Sequence, residues 1–106
     1  MSLVDRGDVF DAELPGLGVR PVLVVTRQVA IPVLSAVTVA MITSTIRDIS
    51  SEVTLGSEHG LEHASVANCD NLFTIAKARL GARRGSLPPR DARRLDDALR
   101  FALQLD

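Results

Sequence analysis

Tryptophan and tyrosine are absent from this chain, and only three phenylalanines occur among its 106 residues. A nucleic acid held mainly by stacking its bases on aromatic platforms is therefore not expected. The single cysteine, Cys69, excludes an internal disulfide and fits a reducing compartment. Neither common glycine-rich phosphate loop occurs, nor a G-x-S-x-G elbow, so NTPase, dinucleotide oxidoreductase and serine hydrolase chemistry have no support. The longest apolar stretch, Val29 to Ile42, is interrupted by Pro32, Ser35 and Thr38 and is too short and too polar for a membrane span. No basic segment followed by an apolar one opens the chain, so no secretory leader is expected, and the expected location is the cytoplasm.

Present instead is enough apolar sequence, 46%, with 24% charged residues, for one globular domain over residues 1–106. The formal net charge of −1 hides an asymmetry. Residues 1–70 carry four arginines against nine acids, whereas residues 71–106 carry eight basic residues against four acids. Lys77, Arg79, Arg83, Arg84, Arg90, Arg93 and Arg94 crowd together, opposed only by Asp91. Such a run attracts a polyanion or an acidic protein partner, or else covers a solvated face.

The chain is organised around Gly18-Val19-Arg20-Pro21-Val22-Leu23-Val24-Val25. Proline holds the residue before it extended, and an unbroken apolar run reads as a strand buried on both faces. A guanidinium is thereby fixed at the mouth of a rigid apolar element, a geometry suited to phosphate. The alternation of 7–13 predicts a first strand, joined through Pro15-Gly16-Leu17-Gly18 to the strand Arg20–Arg27 as a hairpin. Gln28 to Ser35 reads as loop, Ala36 to Thr43 as a third strand, Glu52 to Leu55 as a short strand and Ser57 to Ala64 as loop. Ser65 to Leu72 returns as a strand. Thr74 is placed to cap a short helix through Leu80, with Gly81 as its C′ residue. Ala82 to Leu87 adds a last strand. After Pro88-Pro89, Ala92, Leu95, Ala98, Leu99, Ala102 and Leu103 recur at helical spacing. The expectation is an α+β, mainly-β small barrel of five or six strands with a terminal helix.

His59-Gly60-Leu61-Glu62-His63 matches H-x-x-E-H, in which two histidines on one helix face bind zinc and the glutamate activates water. That chemistry needs a helix. Gly56 and Gly60 weaken one here, the segment lies between short strands, and no third ligand is evident, so a polar surface loop competes with the zinc reading. Cys69 with either histidine makes a nucleophile pair only on paper, since a cysteine in an apolar strand usually packs. More promising are Arg20, at the start of strand two, and Thr43-Ser44, at the end of strand three. If these strands pair antiparallel, guanidinium and hydroxyl share one edge of the sheet. They can then grip a phosphodiester whose 2′-hydroxyl supplies the nucleophile, with no metal. Arginine is a poor proton acceptor, so the base is missing from this scheme.

Arg6-Gly7-Asp8-Val9-Phe10, Val19-Arg20-Pro21-Val22-Leu23-Val24-Val25 and Ala40-Met41-Ile42-Thr43-Ser44, in this order, resemble the MazF/PemK (Kid) toxins of type II toxin–antitoxin modules. Ser65-Val66, Thr74-Ile75-x-x-x-Arg79-Leu80 and the Leu95/Leu99/Leu103 helix extend the similarity over about residues 6–105. The resemblance implies an SH3-like barrel of five to seven strands with a short helix and a C-terminal helix, and a homodimer. It also implies a metal-independent endoribonuclease, needing no cofactor, that cuts single-stranded RNA at short sequences, leaving a 2′,3′-cyclic phosphate and a 5′-hydroxyl. On that basis Arg20 contacts the phosphate and takes part in proton transfer, and Thr43 stabilises the transition state. Pro21, Ser44, Glu13 and Gly18 contact RNA, and a cognate antitoxin with an acidic tail blocks the groove.

Two features depart from the family pattern. The loop Pro15-Gly16-Leu17-Gly18-Val19 is short and has no acid where many members carry a glutamate before Arg-Pro, leaving Glu13 as a stand-in. Val19 stands where some relatives have histidine. Rival readings are a gyrase-binding toxin of the CcdB type acting through its terminal helix, a scaffold that binds RNA or antitoxin without cutting, and the zinc hydrolase through His59, Glu62 and His63.

Overall fold

The computed structural model describes residues 3–106, and its centre is the apolar run of β2 (Gly18–Val24). Val22, Leu23 and Val24 are fully buried. Leu23 joins one apolar cluster and Val22 and Val24 the other, so the strand is covered on both faces. That is why this segment has no polar alternation. The flanking strands are β1 (Asp8–Leu14), β3 (Ala36–Thr43), β4 (Glu52–Leu55), β5 (Ser65–Ala76) and β6 (Leu80–Ser86), followed by helix α1 (Ala92–Leu103). They form one antiparallel sheet in the order β4-β5-β3-β2-β1-β6. Met1 and Ser2 lie outside the described residues.

Breaks in register curl this sheet. Ala40 pairs with Leu72 but Met41 pairs with Asn68, so Cys69, Asp70 and Asn71 bulge from the β3 ladder. The Cys69 amide donates instead to the Ser51 carbonyl at 2.9 Å, and the Ser51 hydroxyl donates to Asp70 at 2.6 Å. Two further register shifts separate β1 from β6. Bulges bend the strands that carry them and raise local twist. The result is a mainly-β, curled half-barrel of six strands with β4 and β6 at its two ends, which fits the small barrel of five or six strands read from the residues and the SH3-like barrel of five to seven that the family resemblance implied.

The terminal helix also follows its sequence pattern. Leu95 and Ala98 are buried, and Leu99 and Ala102 pack against the same cluster as Val9, Leu23 and Ile42. Ala92 and Leu103, the ends of the stripe, are exposed. The α-helix expected over Thr74–Leu80 does not form. β5 continues to Ala76, with Thr74 opposite Thr38 and Ile75 opposite Val37, and only a 3-10 turn, Lys77–Arg79, follows. Two β-branched residues gain a ladder partner there. Ile75 is buried in the second cluster, and the Thr38 and Thr74 hydroxyls lie 3.0 Å apart. Tertiary pairing of this kind overrides a local capping signal. Gly81, expected to end that helix, lies inside β6.

Candidate functional site

Strand register brings Arg20 and Thr43 together. Val22 pairs with Met41, Leu23 with Ala40 and Val24 with Val39. Beyond Val22 and Met41, where this ladder ends, the start of β2 and the end of β3 reach the same rim, with Arg20 on one and Thr43 on the other. Arg20, Pro21, Thr43 and Ser44 accordingly line one open cavity of about 470 Å³. β1 and β6 contribute Asp11 and Arg84 to its wall, and the chain entering β5 contributes Leu61, Glu62, His63 and Ser65.

The groups differ in how far they are already engaged. Arg20 is exposed and donates only to the carbonyl of Val19, at 3.2 Å, and no carboxylate among the described residues forms an ion pair with it. Arg84 is tied down. Its guanidinium lies 3.2 Å from Asp11 and also donates to the Gly60 carbonyl at 3.3 Å. The Thr43 hydroxyl oxygen accepts the Thr45 amide at 3.1 Å, which leaves the hydroxyl hydrogen to donate into the cavity. An unneutralised guanidinium beside an oriented hydroxyl donor is an anion-binding arrangement.

Two sequence candidates lie elsewhere. Glu13 sits opposite Val19 on the β1–β2 hairpin, and its carboxylate is 3.3 Å from Arg79. Gly18 opens β2 opposite Leu14, with the left-handed φ of +77° that the tight turn requires. Neither lines the cavity.

The H-x-x-E-H segment is no zinc helix. Ser57–His59 is a 3-10 turn ended by Gly60 in the left-handed conformation. His59 is buried, its Nδ1 accepts the Gly56 amide at 3.1 Å, and its Nε2 lies 3.8 Å from Asp91 at the foot of α1. His63, by contrast, is exposed on the cavity wall. Among the described residues no three His, Cys, Asp or Glu side chains converge on a point where a metal would bind. Cys69 is equally unsuited to nucleophilic work. Burial, helped by Asp70 and opposed by Arg6, pushes its thiol up from 9.0 to about 11. Buried thiols of that kind are inert.

A family model described as "PemK-like, MazF-like toxin of type II toxin-antitoxin system" matches residues 5–103. The chain belongs to the PemK/MazF toxin family. It is 42% identical over 87 residues to the endoribonuclease MazF3 of Mycobacterium tuberculosis, covering 82% of this chain and 84% of that protein. It is 38% identical over 104 residues to the probable endoribonuclease MazF5 of the same organism, covering 96% and 94%. In three dimensions it superposes on the M. tuberculosis toxin MazF-mt6 with a TM-score of 0.86, 39% identity, and 93% and 98% coverage. A mycobacterial endoribonuclease solved in complex with its cognate antitoxin gives 0.86 at 31% identity, with 97% of each chain covered.

For a PemK/MazF chain, the residues that motif reading overlooked are those supplied at a distance. Asp11 and Arg84 reach the cavity through the β1–β6 pairing, and His63, weighed in the sequence only as a zinc ligand, reaches it through the loop before β5. Gly60 and Gly85 fix that loop. A Cβ on Gly60 would collide with the Arg84 carbonyl, and one on Gly85 with the His59 carbonyl. The backbones of loop and β6 therefore touch, and only glycine permits it. A signal was available in the sequence. Gly60 weakens a helix, and a helix was what the zinc motif demanded.

Proposed function

We propose that this chain is a toxin endoribonuclease that cuts single-stranded RNA at short sequences in the Arg20/Thr43 cavity, by attack of a 2′-hydroxyl on the adjacent phosphorus and without a metal. The observation that carries this reading is the pair that shares the cavity, an arginine with no carboxylate partner among the described residues and, on the neighbouring strand, a threonine whose hydroxyl hydrogen is free to donate.

In the reaction the O2′–P bond forms and the P–O5′ bond breaks, giving a 2′,3′-cyclic phosphate and a 5′-hydroxyl. Negative charge grows on the non-bridging oxygens as the pentacoordinate state is approached. The planar guanidinium of Arg20 meets two of those oxygens, and Thr43 donates to one of them. Fixed donors aimed at developing charge are the largest single source of catalysis in sites of this type. Pro21, with no N–H and a fixed φ, holds Arg20 extended, and Ser44 extends the row of hydroxyls along the strand. Glu13 and Gly18, on the hairpin outside the cavity, are placed to meet flanking nucleotides instead.

The partners follow from the same charge. An acidic segment of a cognate antitoxin blocks the cavity by occupying Arg20, and the working unit is a homodimer, as the family resemblance implies. A gyrase-binding toxin has no use for that pair. The location remains the cytoplasm, where RNA is met, and no helix among the described residues is long and apolar enough to cross a membrane.

The test is cleavage of a long single-stranded phage RNA with the product ends identified. The wild-type protein yields 5′-hydroxyl ends and cyclic phosphates, at a rate unchanged by EDTA. Thr43→Ala slows cleavage by about 100- to 1000-fold, the usual cost of one transition-state donor. Loss of cleavage on chelation, or products with 5′-phosphates, contradicts the mechanism.

A further inference from the structure

The reaction proposed above leaves one proton without an acceptor. A 2′-hydroxyl must lose its hydrogen as it attacks phosphorus. A guanidinium stays protonated at any cellular pH, and a threonine hydroxyl is a donor in this role. The cavity wall offers three other titratable types. Asp11 is held by Arg84 at 3.2 Å. Glu62 is a carboxylate, a type whose ordinary pKa is far below neutrality and which accepts a proton with little driving force. The third is the imidazole of His63, of the one side-chain type that ordinarily titrates near pH 7.

We propose that His63 is the proton acceptor of the cleavage step. This rests on the RNA-cleaving reading and deepens it. Two independent features of the fold support the assignment. Thr43 pairs with Val66, so the chain entering β5 runs along the same rim that carries Thr43 and Ser44. His63 lies three residues before Val66 and is exposed to the cavity that Arg20 and Thr43 line. Its backbone is also fixed. The buried Ser65 hydroxyl donates to the His63 carbonyl at 3.0 Å, and the Gly60–Gly85 contact clamps the preceding turn to β6. The imidazole thus swings from an anchored backbone. The charged groups that share the cavity with it are Glu62 on its own loop, Arg20 from β2, Asp11 from β1 and Arg84 from β6.

The step balances as follows. The neutral imidazole nitrogen takes the 2′-hydroxyl proton as the O2′–P bond forms. The P–O5′ bond breaks, and the departing 5′-oxygen takes a proton from water in the open cavity. The imidazolium then returns its proton to the hydroxide left behind, so the enzyme is restored. No oxidant, metal or cofactor enters.

The test uses an RNA oligonucleotide containing one cleavage site mapped on the phage RNA, and a matched oligonucleotide in which sulfur replaces the bridging 5′-oxygen. His63→Ala and His63→Gln are expected to lower kcat by about 100- to 10,000-fold, the usual range for a positioned base, with KM within about threefold. The acidic limb of the wild-type pH profile should vanish in both variants, and added imidazole should partly rescue His63→Ala. A thiolate leaves without protonation, so the defect should persist on the sulfur substrate. Wild-type kcat and pH profile in His63→Ala overturn the assignment while cleavage lost in Arg20→Ala upholds the nuclease reading. Full recovery on the sulfur substrate also overturns it, because His63 would then protonate the leaving group. A wild-type protein that cuts no RNA removes the nuclease reading, and this assignment falls with it.

Discussion

Arg20 and the arginines of the run from residue 79 to residue 94 have the same side chain and opposite situations. Within that run Arg79 meets Glu13, Arg83 meets Asp8, Arg84 meets Asp11, Arg90 meets Glu58, Arg93 meets Asp97 and Arg94 meets Asp91, all within 4.0 Å. Four of those six acids come from the acid-rich segment of residues 1–70. The charge asymmetry of the sequence is thus largely cancelled when β6 and the start of α1 dock against β1 and the turn before Gly60. Arg20, isolated in sequence, keeps its charge, because β2 carries it to a rim where Asp11 is taken by Arg84 and Glu62 forms no ion pair with it. Charge density along a sequence is therefore a poor guide to where an anion binds. What counts is where the fold leaves a cation unpaired: among the described residues Arg27 and Arg47 also lack an acid, but of the three Arg20 alone lines the cavity with Thr43.

This contrast is open to direct attack by substitution. Arg20→Ala has the largest expected effect, loss of RNA cleavage by about 1000-fold or more with the melting temperature unchanged, since an exposed side chain without buried contacts contributes within about 0.5 kcal/mol. Cleavage and thermal melting measured side by side check it. Arg20→Lys should retain charge but lose the two-oxygen geometry, leaving cleavage about tenfold or more below wild type. Arg83→Ala should do the reverse. Cleavage stays near wild type, while stability in urea falls by about 1–2 kcal/mol, because the buried Asp8 carboxylate loses its cation. Arg93→Ala, whose pair with Asp97 is exposed on both sides, should change stability by less than about 0.5 kcal/mol and cleavage not at all. A basic run that bound RNA would make Arg83→Ala and Arg93→Ala as damaging as Arg20→Ala.

An effect confined to alkaline pH concerns Cys69 and sharpens the point from the side of burial. Its thiol titrates at about 11 in the folded chain against the usual 9.0, so the unfolded chain releases that proton first as pH rises. By linkage, this group's contribution is intact below about pH 9 and declines as pH climbs towards about 11. Urea titrations across that range should show the decline in the wild type and a shallower one in Cys69→Ala. Native Cys69 should also resist alkylation at pH 8.

Much of the fold was readable because its signals are local. The Val22–Val25 run, the Ala36–Thr43 strand and the Leu95/Ala98/Leu99/Ala102 stripe each announce their element within a few residues. Arg20 and Thr43 were readable as a pair because both end apolar strands that neighbour each other in the chain. What was hidden depends on distant partners. Thr74 and Ile75 look like the start of a helix until Thr38 and Val37 arrive to pair with them. The ion pairs of Arg79, Arg83 and Arg84 span 66, 75 and 73 residues, beyond the reach of any pattern. His63 was masked by its own motif. Its spacing from His59 suggested one metal site, whereas a left-handed Gly60 buries one histidine and leaves the other facing the cavity.

The most direct measurement of the central claim follows the arginine Nε–H signals by NMR while an RNA oligonucleotide with a 2′-deoxy residue at its cleavage site is added. Without the attacking hydroxyl the RNA binds and is not cut. If Arg20 is the cation left to hold the scissile phosphate, its signal shifts on binding while those of Arg83 and Arg93 stay in place. An unmoved Arg20 beside a shifted Arg83 or Arg93 would contradict it.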